Sequence, residues 1–286
     1  METAATCIMN GLVTSSMYIL VALGFALLLS IMGIFNFAHG ALYMVGGYIT
    51  YGFSVALGLN QWVSFLFSVI IMGLFGLFLE KFCFRPFIKD YNATLVMAIA
   101  LIFILETFAN VILGGWTRAL PVFVPGILKA GYISVTWERL ITLIIGAVLL
   151  VAMTLLIKKT TIGQQMLAIA QNKTGAALQG IDINRTAAFA TMLACMMAAV
   201  AGTLMAALLS LSPYMGDNIL TKAIEVVILS GIGSIGGIFF GGLIIGFLGA
   251  VLPVFMTSAL AETIILGIII VVLLIRPKGL FGYELF

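Results

Sequence analysis

The chain has 286 residues, of which 63% are hydrophobic and 8% charged. A water-soluble globule carries about a quarter charged residues, so this composition excludes one and indicates a membrane protein. Thirteen Lys and Arg against ten Asp and Glu leave a net charge of +3, too few and too scattered for a nucleic-acid-binding face. One histidine, His39, and three unclustered cysteines, Cys7, Cys83 and Cys195, give neither a disulfide framework nor a zinc site.

A span needs roughly 20 residues, which leaves room for about eight to ten helices and for no separate soluble catalytic domain. The whole chain, 1–286, is read as one transmembrane domain. Apolar stretches cover residues 10–32, 38–57, 62–79, 94–113, 140–157 and 187–211, then a broken stretch at 219–252 and a last one at 262–275. No Lys or Arg precedes the first, so it is a span rather than a cleavable signal. Strand-type alternation is absent, and a bilayer tolerates only helices or closed barrels. The expected fold is an all-α polytopic bundle of about eight spans, with a broken or re-entrant helix pair near the C-terminal third.

Basic residues collect in three places: Lys81, Arg85 and Lys89; Lys158, Lys159, Lys173 and Arg185; and Arg276 with Lys278. Short basic loops stay cytoplasmic, which places the C-terminus inside and, by counting back, the N-terminus outside. Residues 114–139 are then external despite Arg118, Lys129 and Arg139.

Within the broken stretch, Gly231, Gly233, Gly236, Gly237, Gly241, Gly242, Gly246 and Gly249 crowd together. Gly233, Gly237 and Gly241 recur every four residues, as on one closely packed helix face. Alternatively, the glycines unwind the backbone at membrane depth beside a polar cavity. The same run spells G-x-G-x-x-G, which carries no dinucleotide meaning outside a βαβ unit.

Three polar features stand at depth. Glu106 and Asn110 share a face of the fourth span, Glu225 lies just inside the broken stretch, and Asn36 and His39 interrupt the boundary of the first two spans. A carboxylate in hydrocarbon costs about 2.5 to 3.5 kcal/mol, so such groups face protein or water. The candidate path residues are Asn36, His39, Glu106, Glu225, Ser230, Gly231 and Gly233. The competing reading makes the glutamates interhelical hydrogen-bonding groups and His39 a satisfied loop histidine beside a structural Asn36.

In the loop at about 158–186 the centre, 163–180, alternates amides with apolar residues at helical intervals, as in a short amphipathic helix with Gly180 as its C-terminal cap. Its polar face carries amides rather than a row of lysines, so docking in a partner's groove fits better than attachment to lipid headgroups.

Four ordered segments now carry a resemblance: Ile34-Phe-Asn-Phe-Ala-His-Gly-Ala-Leu-Tyr-Met-Val-Gly-Gly-Tyr48; Gln171-Asn172 through Ala176-Ala177-Leu178-Gln179-Gly180-Ile181; Leu229-Ser-Gly-Ile-Gly-Ser-Ile-Gly-Gly237; and Arg276-Pro-Lys-Gly-Leu-Phe-Gly282. The chain resembles the permease subunits of bacterial ABC importers for branched-chain amino acids. The resemblance implies an inner-membrane subunit that pairs with a second permease, homologous or identical, and with two cytoplasmic ATPases and an external solute-binding protein. ATP and Mg are then bound by the ATPases, consistent with the lack of a G-x-x-x-x-G-K-[ST] stretch here. The implied ATPase-coupling residues are Gln171, Asn172, Ala176, Ala177, Leu178, Gly180 and Ile181. The chain departs from the family pattern at Ala41, often acidic in relatives; at Glu225, usually small or apolar; at Ser230, commonly glycine; and at Gln164 and Thr174, often charged. Branched-chain amino acids are therefore the family default among small polar solutes. A channel or secondary transporter acting alone, with Glu225 and Glu106 as ion sites, is the alternative. An intramembrane serine hydrolase using Ser234 and His39 is a remote one.

Overall fold

The computed structural model describes residues 2–88, 90–130, 133–231 and 233–282, so Lys89 of the first basic loop lies outside the described residues. Eleven helices run through it: α1 (Glu2–Met32), α2 (His39–Tyr51), α3 (Gln61–Leu79), α4 (Tyr91–Leu113), α5 (Trp137–Lys159), α6 (Thr161–Gln171), α7 (Lys173–Leu178), α8 (Ile183–Leu208), α9 (Met215–Ser230), α10 (Ile235–Phe255) and α11 (Ser258–Ile275). Seven of the described helices, α1, α3, α4, α5, α8, α10 and α11, are long and apolar enough to cross a bilayer. α2 and α9, at 13 and 16 residues, are not; at 1.5 Å per residue they reach about 20 and 24 Å against a hydrocarbon core of about 30 Å.

α1 is the central post. From Met17 to Met32 nearly every side chain is buried. α10 runs antiparallel to it, with Gly242 against Ile19 and Gly246 against Ser15, whose hydroxyl donates to the Leu243 carbonyl at 3.3 Å. Small residues repeat this close approach elsewhere: Gly46 on α2 against Ala199 on α8, and Gly76 on α3 against Thr191 and Cys195. Lipid removes the hydrophobic drive between helices, so contact distance is what such interfaces gain from. The outer faces are continuous apolar surface, with Val96, Phe103 and Val111 exposed on α4 and Ile270 and Leu274 on α11.

Side-chain oxygens cap the helix starts, Asn60 for α3, Asp90 for α4 and Asp182 for α8. At one end of the bundle, Trp62 packs on Phe123 with ring centroids 4.8 Å apart, and Arg118 and Leu211 exchange backbone hydrogen bonds of 2.8 Å. This hairpin end carries an antiparallel pair, β1 (Ile127–Ala130) and β2 (Ile133–Thr136), within the segment 114–139 expected to be external. The opposite, connector end carries α6, folded back so that Gly163 lies against Leu156 and Ile157 of α5. One turn beyond α3, residues Glu80–Phe84 form a π-helical turn and Arg85–Phe87 a 3-10 turn.

The single amphipathic helix expected at 163–180 is two helices. Asn172 ends α6 and caps α7, accepting from Gly175 N at 2.8 Å, because its extended backbone breaks the helix while its side chain starts the next. Gly180, with φ +81°, closes α7 as expected.

Candidate functional site

The chain breaks between α1 and α2. Gly33 turns it with φ +73°, and residues 33–36 lead back along the bundle. Asn36 accepts from Ala38 N at 3.1 Å and His39 N donates to the Asn36 carbonyl at 3.1 Å, so Asn36 forms the start of α2. His39 is fully buried beside Gly24 and the Ala194 carbonyl, with Phe25 edge-on at 6.3 Å. Ala194 lies eleven residues into α8, about 16 Å from its connector-end start. α2 therefore begins at membrane depth. The Asn36 oxygen is used in this turn, while its Nδ2 makes no hydrogen bond among the described residues. The Val21 backbone stands beside the His39 ring, although neither ring nitrogen reaches full hydrogen-bond geometry among the described residues.

α9 starts at the same depth, with Gly216 packed directly on Gly40. Its residues Tyr214, Asp217, Asn218, Thr221, Lys222 and Glu225 fall within an arc of about 140° around the helix axis. Tyr214, Asp217, Asn218 and Thr221 are exposed, whereas Lys222 and Glu225 are buried. α4 faces the exposed part. The Glu106 carboxyl faces that of Asp217, and Asn110 Nδ2 donates to the Tyr214 hydroxyl at 3.2 Å. Glu106 is thus neither lipid-facing nor alone.

Glu225 is paired. Lys222 Nζ donates to both its carboxylate oxygens, at 3.2 and 3.1 Å, and lies 3.8 Å from Glu262 on α11. Two opposite charges within one turn, shielded from lipid by α11, lower the cost that either would meet alone. The break between α9 and α10 falls after Ser230, five residues beyond Glu225.

Gly231, Gly233 and Ser234 sit at the connector end, where Gly233 shares a cavity with Met166 and Ala170 of α6. The tail runs back over them: Leu280 N donates to the Leu229 carbonyl at 2.9 Å and Phe281 N to the Ser230 carbonyl at 3.0 Å. Gly231, with φ +93°, has the tail residues Lys278 and Gly282 where a side chain would stand, so the 229–237 and 276–282 motifs form one packed unit. Gly233 lies in the turn with no atom within 4 Å of a side-chain position, off the face that Gly237 and Gly241 share. Ser230 is buried beneath Gly241. Gly233 borders an apolar cavity with Leu27, Ile31 and Met166. Ser234 caps α10, accepting from Gly237 N at 3.1 Å, and makes no hydrogen bond with His39, so the hydrolase pair is not assembled.

At the connector end, Ala176 is buried while Gln171, Asn172, Ala177, Leu178 and Gly180 are exposed. Leu178 is 84% exposed, a large apolar side chain presented beyond the last turn of the bundle. Ile181 packs against the core and its N–H donates to the Ala176 carbonyl at 3.1 Å.

Residues 7–274 match the family model described as the branched-chain amino acid transport system permease component. The chain belongs to this permease family. It is 30% identical to LivH of Escherichia coli strain K12, the high-affinity branched-chain amino acid transport system permease protein, over 96% of this chain and 94% of that one. It is 28% identical to BraD of Pseudomonas aeruginosa, of the same description, over 96% and 94%. The solved PsaBC from Streptococcus pneumoniae in complex with Fab shares the fold, with a TM-score of 0.54 at 14% identity over 95% of this chain and 92% of that one. The protein is a multi-pass permease subunit of an ABC importer, a transport component rather than an enzyme, and it works with ATPase and solute-binding partners.

Five residues at the site escaped the sequence reading. Lys222 was legible three positions before Glu225, the spacing of a helical ion pair. Tyr214, Asp217 and Asn218 precede Ile219, where the apolar stretch was read to begin, and Thr221 is a lone hydroxyl inside it.

Proposed function

We propose that the solute crosses along the polar stripe of α9, between this subunit and a second permease subunit packed against it, with Asp217, Asn218, Thr221, Glu106 and Asn110 on the outer part of the path. One observation carries this reading: an otherwise apolar surface is interrupted by exposed polar groups on a helix that starts at membrane depth. Polar side chains there face water or protein rather than lipid. Asn36 and His39 stand where α2 starts beside α9, and Glu225 with Lys222 closes the stripe toward the connector end. The solute class is branched-chain amino acids, supported by the relatives' descriptions. Glu106 and Asp217 offer carboxyl oxygens to an ammonium group.

The connector end is cytoplasmic in this reading, supported by its basic residues, with the N-terminus outside in the bacterial inner membrane. Residues 158–186 are the coupling segment, and Leu178 and Ala177 dock in an ATPase groove, one on each of two permeases. The test is uptake of labelled leucine by liposomes holding the permease with its ATPases and solute-binding protein. ATP-driven accumulation is expected. Leu178→Asp should detach the ATPase and abolish uptake while the permease stays in the membrane. Unchanged ATPase binding by that variant would overturn the coupling reading, and no leucine uptake by the wild type would overturn the solute class.

A further inference from the structure

α5 and α10 both pack on α1, but they leave a groove between them. Its floor is Ile19 and Leu23 of α1, and Phe239 of α10 stands at one side. The facing wall is α5, through Leu150, Val151, Thr154 and Leu155. The groove has a volume of about 200 Å³, more than an apolar cavity of about 150 Å³ that takes a benzene ring. Its lining is hydrocarbon apart from Thr154, whose hydroxyl donates to the Leu150 carbonyl at 2.8 Å and needs no outside partner. Such a groove offers nothing to a polar solute and suits an alkyl chain. Gly24, which meets His39, stands about 100° round α1 from Leu23 and about 140° from Ile19, so the floor is not the face that α1 turns to the start of α2.

Toward the connector end a second apolar cavity follows, which shares Leu23 and reaches Ile31 of α1 and Met166 of α6. From Ile19 to Ile31 is about 18 Å along the helix axis, against about 15 Å of hydrocarbon in one leaflet. The mouth is marked by charge. Counted at about 100° per residue from Leu150, the four wall residues of α5 span an arc of about 140°. Lys158 falls at about 80°, in the middle of that arc and one turn nearer the connector end, whereas Lys159 falls at about 180°, outside it. Both lysines are exposed, and neither makes an ion pair among the described residues.

We propose that this groove binds an anionic phospholipid of the leaflet at the connector end, with one acyl chain against Ile19 and Leu23 and the phosphate at Lys158. A lysine can lay its stem along apolar surface and carry its ammonium to the headgroup layer. A cation centred over a hydrocarbon groove matches a molecule with an alkyl chain and a negative head. A packed protein face would have to bring a carboxylate to the same point.

The test is native mass spectrometry of the complete transporter, titrated with phosphatidylglycerol and, separately, with phosphatidylcholine of the same acyl chains. The wild type should bind phosphatidylglycerol more tightly. Lys158→Gln should weaken that binding about fivefold, the contribution of one lysine near an anionic surface, and leave phosphatidylcholine unchanged. Lys159→Gln removes the same charge outside the arc and should bind both lipids as the wild type does. Thr154→Trp fills the groove and should weaken both. Equal affinity of the wild type for the two lipids, equal losses in the two lysine variants, or unchanged binding by Thr154→Trp would each overturn the proposal. Should Thr154→Trp fail to assemble, the lysine pair still decides. A disulfide between two copies through Val151→Cys, with the other cysteines replaced, would also overturn it, because a second permease would then occupy the groove. Lipid binding is read apart from uptake, so a failure of leucine transport rejects the proposed function and not this site.

Discussion

The two helix breaks are opposites in construction. At 33–38 the chain turns on Gly33, has open space around that glycine, and delivers a buried histidine to the middle of the bundle. At Gly231 the chain turns beneath its own C-terminal tail, and the Leu229 and Ser230 carbonyls just before it accept from Leu280 N and Phe281 N. One break is a seam near the path; the other is a closed joint at the connector end. Glycine density, which marked the second, reports how tightly backbones approach, and it does not report where a solute passes.

The largest expected effect breaks the joint. Gly231→Leu demands both a left-handed backbone for a branched side chain and the space that Lys278 and Gly282 fill, so assembled permease should be absent from the membrane fraction. Gly33→Ala meets only the backbone penalty, about 1 to 2 kcal/mol, and should assemble in reduced amount. Equal loss of complex in the two variants would show that space at the tail does not distinguish the breaks.

A second, smaller effect concerns the buried charges. Lys222→Ala leaves Glu225 unpaired and should cost about 3 to 5 kcal/mol, read as a lower melting temperature of the purified complex. Lys222→Met combined with Glu225→Leu should recover most of it, since an apolar pair of similar volume avoids the cost of burying charge. Failure of the double variant to recover would assign these residues a role beyond mutual neutralisation.

The mildest expected effect lies at the seam. Asn36→Ala removes the bond to Ala38 N and should cost about 1 kcal/mol in the same melting assay, with Asn36→Asp close to wild type. A loss as large as that of Lys222→Ala would mean that the Asn36 amide also binds a group outside the turn.

What could be read from the sequence follows from the range of each interaction. The spans were legible because some 20 consecutive apolar residues suit a bilayer and little else, although α1, expected from residue 10, starts at Glu2. The break at Asn172 was within reach, since an asparagine amid helical periodicity is a cap as readily as an interior residue. The short pair β1–β2 was not, because two four-residue strands give too little alternation to stand out of a loop. Glu106 and Asp217 are 111 positions apart, and nothing local announces that they meet. Glu80 and Arg85 fit no helical spacing, so Arg85 registered only as one of several basic loop residues until the π-turn brought the two together in an ion pair.

The claim that the polar stripe of α9 lines an aqueous path is tested most directly by cysteine accessibility. Single cysteines at Asn218 and Thr221 on α9, and at Phe108 on α4 and Ile270 on α11, are compared in a variant whose Cys7, Cys83 and Cys195 have been replaced. All four positions are exposed on the isolated subunit, so only what they face distinguishes them. A charged methanethiosulfonate reagent needs water around the thiol to react. The expected result is rapid modification at positions 218 and 221 of the assembled transporter, slowed by leucine, and none at 108 and 270. Modification at 108 and 270 with protection at 218 and 221 would place the path elsewhere and contradict this account.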